Sequence, residues 1–222
     1  MNIIVFVGPP GSGKGSVASY IENIDHSFKQ LSTGHLLRKE IKSGSDLGTV
    51  INQIISDGNL VSDEIVSTLI SNEIEEFDAS VQSVILDGYP RTVEQAELLE
   101  KYIKKTGLIL KNVIEFKIND GLIISRLEKR VSCSSCGAVF HLENNLPSVT
   151  DVCDYCGSTP LVVRSDDQPD VIRQRLKGHH DKSSLMVDYY QERGVLSFVD
   201  ASQDLSCVRS EVCKILNVNI CK

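Results

Sequence analysis

Apolar positions along this chain follow two habits. Residues 2–7 read NIIVFV, a run with little interruption that closes at Gly8. A strand apolar at every position suits a parallel sheet covered on both faces. SVILD (83–87) and NVIEFKI (112–118) have the same character, and VLSFVD (195–200) is a fourth candidate. Between these runs the apolar residues recur at helical spacing. Helices are predicted over 14–24, 32–43, 48–56, 62–77, 92–106, 120–130, 170–192 and 205–216. Strands alternating with helices predict an α/β fold, a doubly wound parallel sheet.

Two stretches break the alternation. Residues 32–61 form a helical excursion between the first and the next strong strand. Residues 129–167 hold cysteines, glycines, prolines and short β-like pieces such as GAVFHL. Both read as insertions hung on the core. One small repeat is visible, CSSCG at 133–137 and CDYCG at 153–157.

Composition narrows the class. A chain of 222 residues has room for one large α/β domain with insertions. Its 41% hydrophobic and 24% charged residues are an ordinary globular balance. The net charge of −7 argues against a protein that coats nucleic acid. An anionic substrate then needs a local basic site. The apolar start has no basic n-region and no small-residue cleavage site. It is also far shorter than the roughly 20 residues of a membrane span. The expectation is a reducing cytoplasm, no membrane contact and no disulfide framework.

The chemistry starts at GPPGSGKGS, residues 8–16. Glycines after a strand let the backbone turn its N–H groups inward, and the following helix adds its positive end. Gly11, Ser12, Gly13, Lys14, Gly15 and Ser16 therefore read as a phosphate cradle, with Lys14 as its mobile cation. The general pattern puts Ser or Thr directly after the lysine. Here Gly15 stands there and the hydroxyl comes at Ser16. Asp87 of DGYPR ends a buried strand, the edge where open α/β sheets bind ligands, and can hold magnesium through water. Arg91 has the fork that suits phosphate oxygens. Alone, it fits a surface salt bridge better. TVEQ (92–95) fits a capping box with Thr92 as N-cap, which by itself accounts for Gln95.

Cys133, Cys136, Cys153 and Cys156 give C-x₂-C-x₁₆-C-x₂-C. This spacing points to tetrahedral zinc. Binding releases about 10–16 kcal/mol in small zinc peptides, comparable with the stability of a whole domain. A flap of this size buries little core, so the zinc is expected to be structural. Four thiolates complete the shell and leave His141 no place in it. Cys207, Cys213 and Cys221 lack the spacing and read as buried or terminal thiols. His179 and His180 are assigned to an exposed helix face.

In order, GPPGSGKGS, STGHLLR, LVSDE, LDGYPRTVEQA, RSDD and RQRL resemble the motifs of long-lid adenylate kinases. The likeness runs over essentially the whole chain. It implies a P-loop core (1–31, 62–128 and 168–222), a nucleoside-monophosphate arm (32–61) and a small zinc-bearing β lid (129–167). It implies reversible phosphoryl transfer from magnesium ATP to AMP, giving two ADP, by a cytoplasmic monomer. Residues Gly11 to Ser16, Arg126, Arg130, Val139, Phe140 and Gln203 match the ATP side. Thr33, Arg38, Asn59, Leu60, Val61, Gly88, Tyr89, Pro90, Arg91, Gln95, Arg164 and Arg175 match the AMP side. Lys14, Asp87, Arg91, Arg130, Arg164 and Arg175 match the groups around the transferred phosphate. Asp166 and Asp167 fall where lid and core touch.

The chain departs from the resemblance at three places. His35 stands where aspartate is usual, Val131 replaces a frequent arginine, and Gln203-Asp204 replaces a common Lys-Pro pair. The alternatives are a kinase for another nucleoside monophosphate, or a zinc-ribbon module switched by nucleotide. The second is disfavoured because residues 132–163 contain no lysine or arginine.

Overall fold

The computed structural model describes residues 1–57, 59 and 61–219. The chain opens with β1 (Asn2–Val7), α1 (Lys14–Ile24), β2 (Phe28–Ser32), α2 (Thr33–Ser43), α3 (Asp46–Ser56) and α4 (Asp63–Glu75). It continues through β3 (Ser83–Asp87), α5 (Val93–Thr106), β4 (Ile109–Lys117) and α6 (Asp120–Glu128). Three short strands follow, β5 (Arg130–Cys133), β6 (Val139–His141) and β7 (Leu161–Val162). A 3₁₀ turn at Ser165–Asp167 leads into α7 (Pro169–Gln191), β8 (Leu196–Asp200) and α8 (Leu205–Leu216).

Five strands pair in parallel in the order β2-β3-β1-β4-β8. The central strand shows why its sequence is apolar throughout. Ile3, Val5 and Val7 face a core shared with α4, α5 and α7. Ile4 and Phe6 face the opposite core, with Val17, Ala18 and Ile21 of α1 and Val208 and Val212 of α8. Each such side chain contributes about 1.5–3 kcal/mol by leaving water. β1 leads into α1 on one face of the sheet and its neighbour β3 into α5 on the other. A crevice therefore opens at the carboxyl ends of β1 and β3.

β2 has no counterpart among the predicted strands. Its two buried residues, Phe28 and Leu31, are three apart, which is not the period of a strand. Pairing with β3 from Phe28–Ser83 to Ser32–Asp87 makes it the sheet edge. Helix ends shift for local reasons. Ser45 Oγ accepts the Gly48 N–H at 2.8 Å, so α3 begins two residues before the predicted start. Pro169 takes the first position of α7, where its missing N–H costs nothing.

β5, β6 and β7 form a separate antiparallel sheet, order β6-β5-β7. Its buried cluster is Val131, Cys133, Phe140, Cys153 and Leu161. Two of these five are cysteines of the predicted metal set. Val131, where a cation is frequent in the resemblance, lies in this cluster opposite Phe140.

Candidate active site

The loop from Gly8 to Ser16 joins β1 to α1 at the crevice. Gly8, Gly11 and Gly13 have φ of 146°, 79° and 91°, where a side chain is strained. Lys14 is buried, and its ammonium donates to the Gly8 carbonyl (2.8 Å), the Pro9 carbonyl (2.7 Å) and Ser12 Oγ (3.1 Å). Burial pushes its pKa down to about 8, with Arg91, Arg175 and Arg130 adding to the fall and Asp87 opposing it.

Asp87 explains the displaced hydroxyl. A β-carbon on Gly15 would lie 3.0 Å from Asp87 Oδ2. The residue after the lysine is thus the point where the β3 carboxylate packs against the helix start. Gln30 Nε2 of β2 donates to the same oxygen at 3.3 Å, and Thr33 Oγ1 donates to the Asp87 carbonyl at 3.3 Å. Gly88 follows with a φ of 81°, and Arg91 Nε donates to its carbonyl at 2.8 Å.

Thr92 caps α5 by accepting the Gln95 N–H at 3.1 Å. The expected box is modified. Gln95 Oε1 accepts the Arg91 N–H at 2.8 Å, and its Nε2 donates to Asp63 Oδ1 at 2.7 Å. Asp63 also accepts from Thr92 Oγ1 at 2.9 Å, tying the start of α4 to the turn that carries Arg91. That leaves Gln95 one amide hydrogen and one lone pair.

Arginines approach from several segments. Arg130 holds Asp167 with two bonds, Nε at 2.8 Å and Nη2 at 2.5 Å. Arg175 of α7 reaches Asp166 at 3.0 Å and Asp167 at 3.3 Å. Arg164 donates to Ser132 Oγ at 2.7 Å. Among the described residues, Arg38, Arg91 and Arg164 have no carboxylate within ion-pair distance. Burial, followed by neighbouring arginines, lowers the pKa of Arg91 and Arg164. Lys14, Arg38, Arg91, Arg130, Arg164 and Arg175 thus face Asp87, Asp166 and Asp167, six cations against three carboxylates. That surplus suits an anionic ligand.

All nine of these residues except Asp167 line one cleft of about 1160 Å³. It exceeds the roughly 300–1,000 Å³ of a common ligand pocket, so it has room for more than one small molecule. Arg126 walls one end, with Nη1 donating to the Ala201 carbonyl at 2.9 Å and Nη2 to the Gln203 carbonyl at 3.5 Å.

In the β5–β7 unit the four cysteine sulfurs lie within 4.8 Å of one another. Cys133 and Cys156 are 3.5 Å apart, as are Cys136 and Cys153. Four sulfurs about 2.3 Å from one zinc stand about 3.8 Å from each other, so the set fits that ion. The N–H groups of Ser135 and Cys136 point at Cys133 Sγ from 3.4 and 3.5 Å. Gly137 and Gly157 close the two knuckles. Their N–H groups bond the Cys133 and Cys153 carbonyls at 3.0 and 2.8 Å.

Comparison with known proteins gives the family. The family model for adenylate kinase matches residues 6–195. The chain belongs to the adenylate kinase family. It is 38% identical over 214 residues to an adenylate kinase of Rhizobium rhizogenes, covering 96% of this chain and 98% of the relative. An adenylate kinase of Sphingopyxis alaskensis is 38% identical over 213 residues, 96% of each chain. One from Paramagnetospirillum magneticum is 37% identical over 216 residues, 97% of this chain and 99% of the relative.

With family membership fixed, each expected site residue can be placed. The cleft is lined by Gly11 to Ser16, Thr33, Arg38, Asn59, Val61, Asp87, Gly88, Pro90, Arg91 and Gln95. Arg126, Arg130, Val139, Phe140, Arg164, Arg175 and Gln203 line it too. Leu60 and Cys221 lie outside the described residues. Tyr89 is a correction. Its side chain is 1% exposed and turns into the core, its hydroxyl paired with Ser67 Oγ at 2.9 Å and donating to the Gln95 carbonyl at 3.2 Å. Burying the ring props the DGYPR turn from below, so Tyr89 does not line the cleft.

His179 is a second correction. It lines the cleft instead of an outer helix face. Burial first, then Lys14, pushes its imidazole down to about 4, so it adds no charge there near neutral pH. His180 does lie outside, 3.0 Å from Asp120. His141 Nδ1 accepts the N–H groups of Glu143 and Asn144, each at 3.2 Å, and so serves a turn.

Sequence reasoning missed two further members of this region. Asp63 falls within LVSDE, but its tie to Thr92 and Gln95 appears only where α4 meets α5. Arg209 of α8 lines the cleft, stacked 4.6 Å over the Tyr20 ring. No local pattern foretells a partner on α1.

Proposed function

We propose that this chain is an ATP:AMP phosphotransferase that interconverts ATP plus AMP and two ADP. The observation that carries it is the convergence of Lys14, Arg38, Arg91, Arg130, Arg164 and Arg175 on one cleft with a cationic surplus. Phosphoryl transfer needs in-line positioning and positive charge more than covalent help. Two nucleotides bring mutually repelling phosphates, and cations from several segments overcome that repulsion.

In this reading Gly11 to Ser16 cradle the ATP phosphates, and Lys14 moves from the loop carbonyls to the β and γ phosphates. Arg126 stacks on the ATP base, with Val139, Phe140 and Gln203 beside it. Thr33, Arg38, Asn59, Leu60, Val61, Gly88, Pro90 and Arg91 bind AMP, with Arg164 and Arg175 bridging the two nucleotides. Gln95 reads the adenine edge with its remaining amide hydrogen and lone pair. Arg91, Arg130, Arg164 and Arg175 neutralise charge as the phosphoryl group moves. Magnesium would accompany ATP, and Asp87 would be the carboxylate to hold it through water. No dedicated general base is required.

The same reading divides the chain into a core (1–31, 62–128, 168–222), an AMP arm (32–61) and a lid (129–167). Lid and arm close to exclude water, which would otherwise hydrolyse ATP. Cys133, Cys136, Cys153 and Cys156 hold a structural zinc with no open position. The protein acts as a monomer in the cytoplasm. Steady-state rates with AMP, GMP, CMP and UMP under saturating ATP test the reading. AMP is expected to be preferred; a higher kcat/KM for another monophosphate overturns the AMP assignment.

A further inference from the structure

We propose that His35 and Lys42 are positioning residues that dock the first cysteine knuckle, Cys133–Gly137, onto the AMP arm. The proposal rests on the phosphotransferase reading above. Two contacts carry it, and both join α2 to the same five-residue knuckle. Lys42 Nζ donates to the Ser134 carbonyl. A β-carbon at Gly137 would lie 2.7 Å from His35 Nδ1 and 3.3 Å from its Cε1. The imidazole edge therefore lies against the knuckle at a residue that has no side chain.

Spacing makes these contacts one surface. Residues 35 and 42 are seven apart, about two helical turns, so they project from the same face of α2. Arg38 lies between them and lines the cleft. The face that grips the knuckle is continuous with the face that offers Arg38 to phosphate. On the other side, the knuckle's shape comes from its cysteine set. The Cys133 carbonyl accepts the Gly137 N–H at 3.0 Å, and Cys133 Sγ accepts the Ser135 N–H at 3.4 Å. This folding turns the Ser134 carbonyl outward toward Lys42. Gly137 also has a φ of 78°, so a side chain there would strain the turn as well as meet His35.

The knuckle is thus more than a staple for the lid. It is the tooth by which the lid engages the arm, and docking it brings Arg164 and Arg38 to the same cleft. His35 stands where the family resemblance leads one to expect aspartate. Here its ring serves the lid contact.

The test uses the full-length, zinc-loaded protein and a bisubstrate analogue, two adenosines joined by five phosphates. Lys42→Ala and His35→Ala are each expected to raise the analogue's dissociation constant, about three- to tenfold for Lys42→Ala, the scale of one lost hydrogen bond. Hydrogen exchange should show weaker analogue-induced protection over residues 133–137. Lys42→Arg should restore both. KM for ATP and AMP should rise while kcat is held or increased, because opening is not slowed. Zinc content and the thermal midpoint without nucleotide should match wild type. Wild-type analogue affinity and wild-type protection in both alanine variants overturn the docking role. A wild-type chain that forms no ADP from ATP and AMP overturns the reading beneath it.

Discussion

Gly15 and Lys14 set the donor site at the residue scale. Gly15 leaves the space that Asp87 fills, 3.0 Å from where a β-carbon would stand. Gly15→Ser restores the common order of lysine then hydroxyl, yet should lower kcat by about 10- to 100-fold, because it displaces Asp87. Single-turnover rates check this, and wild-type rates would contradict it. Lys14 has a pKa lowered to about 8, chiefly by burial. It is therefore mostly charged at pH 7 and loses its proton as pH rises through about 8. Because kcat/KM reports the free enzyme, kcat/KM for ATP should be full below that pH and fall above it. A profile flat to pH 10 would contradict the assignment. Arg91→Ala removes a cation without a carboxylate partner and should lower kcat by about 10³-fold or more with the fold intact. The loop's identity was legible in its glycines. The reason for Gly15 was not, since it lies in an aspartate more than seventy positions away. Tyr89 misled for a similar cause: a motif gives a residue's place in the chain, not which way its ring turns.

Elements differ in how far their own sequence specifies them. β1 and β3 are buried on both faces, so hydrophobicity alone revealed them. β2 is an edge strand of mixed polarity, and only pairing with β3 makes it a strand. α5 announced its start through Thr92, but not the tie from Gln95 to Asp63. The β5–β7 unit is the extreme case. Its buried cluster has five residues, two of them cysteines, too few to offset the ordering of its chain. Metal binding worth about 10–16 kcal/mol in comparable sites can supply the difference. Chelation at neutral pH should therefore abolish slow hydrogen exchange over residues 131–162 while β1 and β3 keep theirs. Equal loss in both regions, or no zinc by elemental analysis, would contradict a structural lid metal.

At the scale of the whole molecule, an acidic chain gathers seven of its nine arginines, with Lys14, at one cleft. The start of α1, helix α2, the DGYPR turn, the start of β5, Arg164 and α7 each bring one charge to a single cleft. The motifs named these residues, while only the fold shows that Arg38, Arg91 and Arg164 arrive there without carboxylate partners. His179 and Arg209 joined the cleft unforeseen, because helix packing decides which face of α7 and α8 turns inward. The central claim is that two nucleotides react in this cleft with water kept out. Chromatography of a mixture of ATP, AMP and magnesium with the purified protein tests it most directly. Two ADP should form for each ATP and AMP consumed, with no inorganic phosphate released. ATP loss accompanied by free phosphate, with AMP untouched, would contradict it.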